Sequence, residues 1–359
     1  MQSQHLARRR RQAGSAAFAF RTGVRFAALA CLVLAAALLS ARAEAATKLT
    51  PGGPAPPAVI KSGNQAAWDA QFNCGPRTAN LTPIARISVP GMRRSPGSVT
   101  FTRSASLSGV DMRGVDANII GDGTVVSLSD IRVQHTGGGH FFRTGMDEGG
   151  NFGGNPVLNI DHADIDYTGA KNLSQGNIVN NYTAGAKTSE LHISHACLRN
   201  APSDYFATFL GGSFTLTDSF VAAMCRMAKT ENGDHCEAAH INGSKSVFRN
   251  VMFDMAAGGG VPCCITSVLF FDAISTGYDI DATLDHCIIA GIQSQGFLYP
   301  IVLSPGHANV TLHISNCAIQ KGVHGQYIAG VGPYGKFNAR VIDEGGNVDL
   351  DSGKPIKLK

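Results

Sequence analysis

Three carboxylates and two imidazoles crowd into the ten residues "ENGDHCEAAH": Glu231, Asp234, His235, Glu237 and His240. Imidazoles titrate near neutrality, and beside carboxylates they are the groups of general acid–base chemistry. Oxygen ligands at this density also suit a hard cation such as calcium, with Asp234 and Glu231 as candidate ligands and Glu237 beside them. Arg226 and Lys229 precede the cluster and Lys245 follows it, so a substrate's negative charge could be neutralised there. A plain alternative stands next to this chemistry, because a loop rich in Asp, Asn and Gly is also what a turn needs.

What must hold these residues is β-structure. The chain has 42 glycines and only 16% charged residues. After residue 95 short β-branched and apolar runs alternate with Gly, Asn, Asp and Ser, a pattern of strands and turns. Six segments align: "LNIDHADI" from Leu158, "LHISHACL" from Leu191, "FTLTDSFV" from Phe214, "SVFRNVMF" from Ser246, "ATLDHCII" from Ala282 and "LHISNCAI" from Leu312. Each reads apolar, any, apolar, polar, then a turn-type residue, then small, any, apolar.

The turn position holds His162, His195, Asp218, Asn250, His286 and Asn316, at successive spacings of 33, 23, 32, 36 and 30. Repeats of this length signal units that bury their apolar faces only against their neighbours. Stacked strands lie about 4.8 Å apart, so an equivalent residue recurs directly above itself. Asn and Asp tolerate the left-handed backbone of a tight bend and hydrogen-bond along such a stack. The three histidines of this ladder read as structural.

The opening cluster can then be placed. Lys245 to Met255 is the fourth repeat, and "HCEAAHI" is a strand on another face, with "GNIVNNY" and "YFATFL" as earlier equivalents. "SVLFFDAI" and "FLYPIVL" are the later ones. Strand alternation points Ala239 and Ile241 inward and His240 outward. The strand is expected to start near Ala238, leaving Asp234, His235 and Glu237 on the bend before it, because unpaired inward charge is costly.

The coil motif and its ladder resemble the right-handed parallel β-helix proteins of the pectate-lyase-like superfamily, over roughly Ser98 to Asp349. That resemblance implies an all-β fold, a single-stranded right-handed parallel β-helix (a solenoid) with an N-terminal capping segment, and a polysaccharide as partner. "GDHCEAAHI" also looks like the H-x-D-G-I-Q stretch of secreted β-helix proteins that act on polysaccharides. His235, Glu237 and His240 stand at its His, acidic and Gln positions, with Glu for the Asp and His for the Gln. The arginine and calcium-aspartate set of pectate lyases and the paired aspartates of polygalacturonases are not recognisable.

On an acidic polysaccharide, a lyase or an epimerase neutralises the uronate carboxylate and removes the C5 proton. His240, Glu237, His235 and Lys229 are the candidate catalytic groups, and Arg226, Lys245, Asp272 and Tyr299 the candidate substrate-binding ones. A hydrolase would use two carboxylates about 5–9.5 Å apart, Glu237 with Asp234 or Asp272. A non-catalytic glycan-binding or surface β-helix is the remaining alternative. "NIDHADIDY" sets Asp161, Asp164 and Asp166 outward around one bend, as a calcium site or a solvated face. "HTGGGH" and "MDEGGNFGGN" form a Gly-rich loop that could border a groove.

A basic start, the apolar run Phe26 to Ala41 and the small residues of "ARAEAA" read as a signal peptide over residues 1–45, cleaved after Ala43, Ala45 or Ala46. The expected location is secreted or periplasmic, without membrane insertion after cleavage. A mature chain of about 310 residues can bury a large core in one elongated domain. Residues 46–97 read as linker and cap, 98–349 as the β-helix and 350–359 as a polar tail. The net charge is +4, and much of it lies in the leader, so nothing supports a nucleic-acid partner; a monomer is expected. Eight cysteines remain after cleavage. Cys225 and Cys236 are the expected local bridge, while the inward pair Cys287 and Cys317 is either a disulfide or, as favoured, two buried thiols.

Overall fold

The aligned segments form strands because their apolar residues fall on one side of an extended backbone. In the strand Glu190–Arg199, Leu191 and Ile193 are buried before the bend and Ala196 and Leu198 after it. The bend residue, His195, breaks the two-residue period by one, so both flanks face the same core. In this computed structural model the described residues are 71–134, 141–146, 153–167, 189–200, 212–222, 237–255, 267–273, 277–290 and 299–359. The backbone is also described for Ile178–Asn180 and Phe206–Thr208.

The fold is all-β and dominated by two parallel sheets. The first runs, in spatial order, through Thr82–Pro83, Ala105–Asp111, Val125–Gln134, Val157–Asp166, Glu190–Arg199, Ser213–Ala222, Lys245–Asp254, Ile280–Asp285, Val310–Ser315 and Phe337–Gly345. The second runs through Ser98–Phe101, Asp116–Ile119, Phe142–Thr144, Ile178–Asn180, Phe206–Thr208, Ala239–Ile241, Ser267–Asp272, Tyr299–Ser304 and Ile328–Ala329. The chain alternates between them, and each strand pairs in parallel with the one laid down on the previous pass. Among the described residues, antiparallel pairing between strands is confined to Met92–Ser95 with Ser98–Phe101 and Gly332–Tyr334 with Phe337–Gly345, near the two ends. The five stretches assigned to the other face each hold a strand of the second sheet, in the expected order.

The six aligned segments are neighbours in the register their alignment requires: Leu158 opposite Leu191, then Phe214, Ser246, Ala282 and Leu312. All six expected turn residues adopt the left-handed conformation, with φ between 49° and 54°. Asp130 joins them at φ 53°, and Gly109 and Gly346 continue the line at its two ends. A side chain at Gly346 would press on the Asn316 amide and displace it, which favours glycine there. The ladder is hydrogen-bonded, as where Asn250 Nδ2 donates to Asp218 Oδ1 at 2.7 Å.

One core cluster gathers the inward residues of both sheets, with Phe248, Phe253 and Phe271 ring to edge inside it. Cys287 and Cys317 are free and buried, with the Cys287 N–H 3.4 Å from Cys317 Sγ. Burial pushes the Cys317 thiol well above its ordinary pKa, and the neighbouring Cys287 adds to the effect. The expected pair Cys225 and Cys236 lies outside the described residues. Among the described residues no helix is long and apolar enough to cross a membrane.

A second, smaller cluster sits on the other face of the stretches that follow the bends: Cys197, Phe220, Met252, Ile288 and Ala318. The N-terminal segment covers it. Phe72 lies 6.0 Å from the Phe220 ring, and Cys74 is disulfide-bonded to Cys197. Further along, the Gly75 N–H donates to His195 O, and Arg77 grips Asp130 with Nε and Nη2, both at 2.8 Å. Residues 72–77 thus run across four successive strands before Thr82–Pro83 pairs with Val110–Asp111.

Candidate functional site

The central strand of the opening cluster is Ala239–Ile241, between Phe206–Thr208 and Ser267–Asp272. Ala239 and Ile241 are buried in the core, and His240 points the other way with its side chain 24% exposed, as strand alternation requires. His240 sits opposite Phe270, whose ring it meets edge-on at 5.0 Å. Two residues past Phe270 on the same face, Asp272 places Oδ2 3.3 Å from His240 Nε2. The Asp272 side chain is only 7% exposed, and the buried Asn242 amide donates to both its carboxylate and its backbone oxygen, at 3.2 and 3.0 Å. A carboxylate held in this way favours a proton on Nε2, which makes Nδ1 the basic nitrogen of the neutral ring.

Of the other expected site residues, Glu237 is described and fully buried, just ahead of the strand. Lys245 begins a strand of the first sheet, exposed between Ser213 and Asp281, and so belongs to a different sheet from His240. Tyr299 is partly exposed at the start of Tyr299–Ser304, opposite Ser267, with its ring 5.5 Å from His324. Arg226, Lys229, Glu231, Asp234 and His235 lie outside the described residues, as does most of the Gly-rich loop. The described geometry therefore brings His240 and Asp272 together and places Lys245 elsewhere.

A second cluster lies on the bend ladder. The imidazoles of His162 and His195 stack with centroids 4.4 Å apart and planes 18° from parallel. Their Nδ1 atoms reach opposite oxygens of Asp161, at 2.8 and 2.9 Å, and Ser194 Oγ donates to the same carboxylate at 2.7 Å. Burial pushes the Asp161 carboxyl up, but the bonds from His195, Ser194 and His162 outweigh it and hold it below the carboxylate range. The bond to Asp161 raises the His195 imidazole in turn. Asp164 and Asp166 do not join this group: Asp164 pairs with Arg199 and Arg132, and Asp166 accepts from Asn200.

A third feature was not apparent from the chemistry-bearing motif. On the outer face of the first sheet a cleft of about 390 Å³ is lined by Asp279, Asp281, Thr311, His313 and Arg340 among others. His313 Nδ1 lies 3.0 Å from Glu344, and Arg340 Nε donates to Thr311 Oγ1 at 3.0 Å. Lys245, Asp281, Thr311 and Arg340 occupy one row of adjacent strands. The outward parity of "LHIS" marks His313, whereas Arg340 lies beyond the last aligned segment. No family model, no curated protein and no solved structure matches the chain.

Proposed function

We propose that the chain is an exported, carbohydrate-active protein of pectate-lyase-like, right-handed parallel β-helix architecture that acts on an acidic polysaccharide by C5 proton abstraction. Two in-register parallel sheets visited alternately support the architecture, and the leader-like segment 1–45 supports export to the periplasm or the exterior. The observation that carries the chemistry is the pairing of the outward His240 with the buried Asp272 on the next strand.

In this reading His240 Nδ1 takes the C5 proton of a uronate and Asp272 stabilises the imidazolium that forms. Breaking the C4–O bond then leaves a C4=C5 double bond, and the departing oxygen takes up a proton. In an epimerase the C4–O bond stays and C5 regains a proton on the opposite face. Arg226 and Lys229, which lead into the strand in sequence, are the candidate cations for the uronate carboxylate. Burial of Glu237 disfavours the hydrolase pairing, in which both carboxylates must reach the scissile bond.

A glycan-binding reading without catalysis draws support from the polar cleft beside Thr311 and Arg340. One experiment separates the two. The protein is incubated with uronic-acid and neutral polysaccharides, with and without calcium, while unsaturated-sugar absorbance, new reducing ends and C5 proton exchange are followed. Turnover lost in His240→Ala, with the fold retained, supports proton abstraction. Silence in all three signals, together with saccharide binding weakened by Arg340→Ala, sinks it in favour of binding.

A further inference from the structure

The bend cluster Asp161, His162 and His195 plays no part in that chemistry. We infer that it is a binding site for one divalent transition-metal ion, with zinc the best-suited metal. One ligand atom from each residue can be chosen so that all three lie within 4.8 Å of one another. Zinc bonds of about 2.0–2.2 Å to nitrogen and oxygen need only modest side-chain rotation from that spacing. Two imidazoles and one carboxylate suit zinc and its neighbours rather than calcium or magnesium, which take oxygen sets. The side chains of His195 and Asp161 are 33% and 39% exposed, so water can complete a tetrahedral shell.

The second imidazole is not needed to close the bend. The same arrangement recurs at Asp285, His286, Ser315 and Asn316. There the carboxylate takes His286 Nδ1 at 2.8 Å, Ser315 Oγ at 2.8 Å and the Asn316 amide at 3.2 Å. Ser194 and Ser315 play the same part, and both bends adopt the left-handed backbone. The two bends differ in the residue one pass on: an asparagine at 316 and a histidine at 195. The asparagine serves the fold equally well, so His195 adds a capacity that the bend itself does not require.

The surroundings suit a bound ion. Ser194 donates to the Asp161 carboxylate and fixes its orientation, as outer partners of metal ligands do. The neighbouring cation Arg77 is engaged by Asp130.

The test is calorimetric titration of the metal-stripped protein with zinc chloride, repeated on His195→Asn and on the control His286→Asn. Asn316 shows that this bend geometry accepts asparagine, so His195→Asn is expected to fold. The expected result is one zinc equivalent in the wild type and in His286→Asn. In His195→Asn the affinity should fall by more than the roughly 10–100-fold that loss of an outer partner costs. A wild type that takes up no zinc, or a His195→Asn protein that binds it unchanged, overturns the inference.

Discussion

Cys74 and Cys197 stand 123 residues apart in the chain and are joined by a disulfide, with their Cα atoms 5.5 Å apart. The bond ties the N-terminal segment to the outer face of a strand in the middle of the first sheet. Closing so long a loop restricts the unfolded chain strongly, in principle by about 4–5 kcal/mol. Cys74→Ser is therefore expected to lower the unfolding free energy in guanidinium by about 2–5 kcal/mol. Hydrogen exchange should locate the loss of protection first in residues 72–83.

Arg77 and Asp130 predict a specific acid sensitivity. The bidentate bond from Arg77 holds the Asp130 carboxyl down at about 2, against the opposing push of burial. An unfolded aspartate titrates at about 3.9. The folded value is the lower one, so the pair stabilises the protein above about pH 4, and that contribution disappears as pH falls toward about 2. In Arg77→Ala the pH dependence of stability across this window should flatten. Above it the variant should be weaker by about 1–3 kcal/mol, since it leaves a largely buried carboxylate without its cation.

At the ladder, backbone conformation and hydrogen bonding can be separated. Asn250 has φ 53° and donates to Asp218. Asn250→Val forces a β-branched residue into the left-handed region and removes the bond, at about 2–3 kcal/mol in total. Asn250→Gly removes only the bond and should cost about 1 kcal/mol or less. Urea midpoints of the two variants give the comparison, and equal costs would contradict it.

Asp272→Asn tests the proposed proton abstraction without deleting the imidazole. An amide in that position keeps the shape of the site but cannot stabilise an imidazolium. Turnover should drop by about 10²–10⁴-fold with the circular dichroism spectrum unchanged. Unchanged turnover would remove Asp272 from the mechanism.

Much of the fold was legible because its pattern is local. His162, His195, Asp218, Asn250, His286 and Asn316 each lie between an apolar–polar alternation and a small or apolar residue, and each bends as expected. Asp130 follows the same alternation, with Ile131 where the Asn250 bend has Val251, and belongs to the same ladder, whereas Gly109 offers no side chain to it. The pairing of His240 with Asp272 could be anticipated, since strand parity and equivalent strands put both on one face. Lys245 is near His240 in sequence, but it opens the fourth repeat and so lies on the other sheet, as the repeat alignment implies. The Cys74–Cys197 bond left no trace in residue spacing, because the partner site is created by stacking rather than by chain proximity.

The path of residues 72–77 also sets an order of assembly. A chain emerging from its amino end presents Phe72, Cys74 and Arg77 before any surface exists to receive them. Asp130 becomes available first, Cys197 much later and Phe220 later still. The segment made earliest is thus fastened late, from Arg77 backward, and only a chain that has stacked its early strands correctly offers its three anchors in line. The strap works as an inspection of the finished stack.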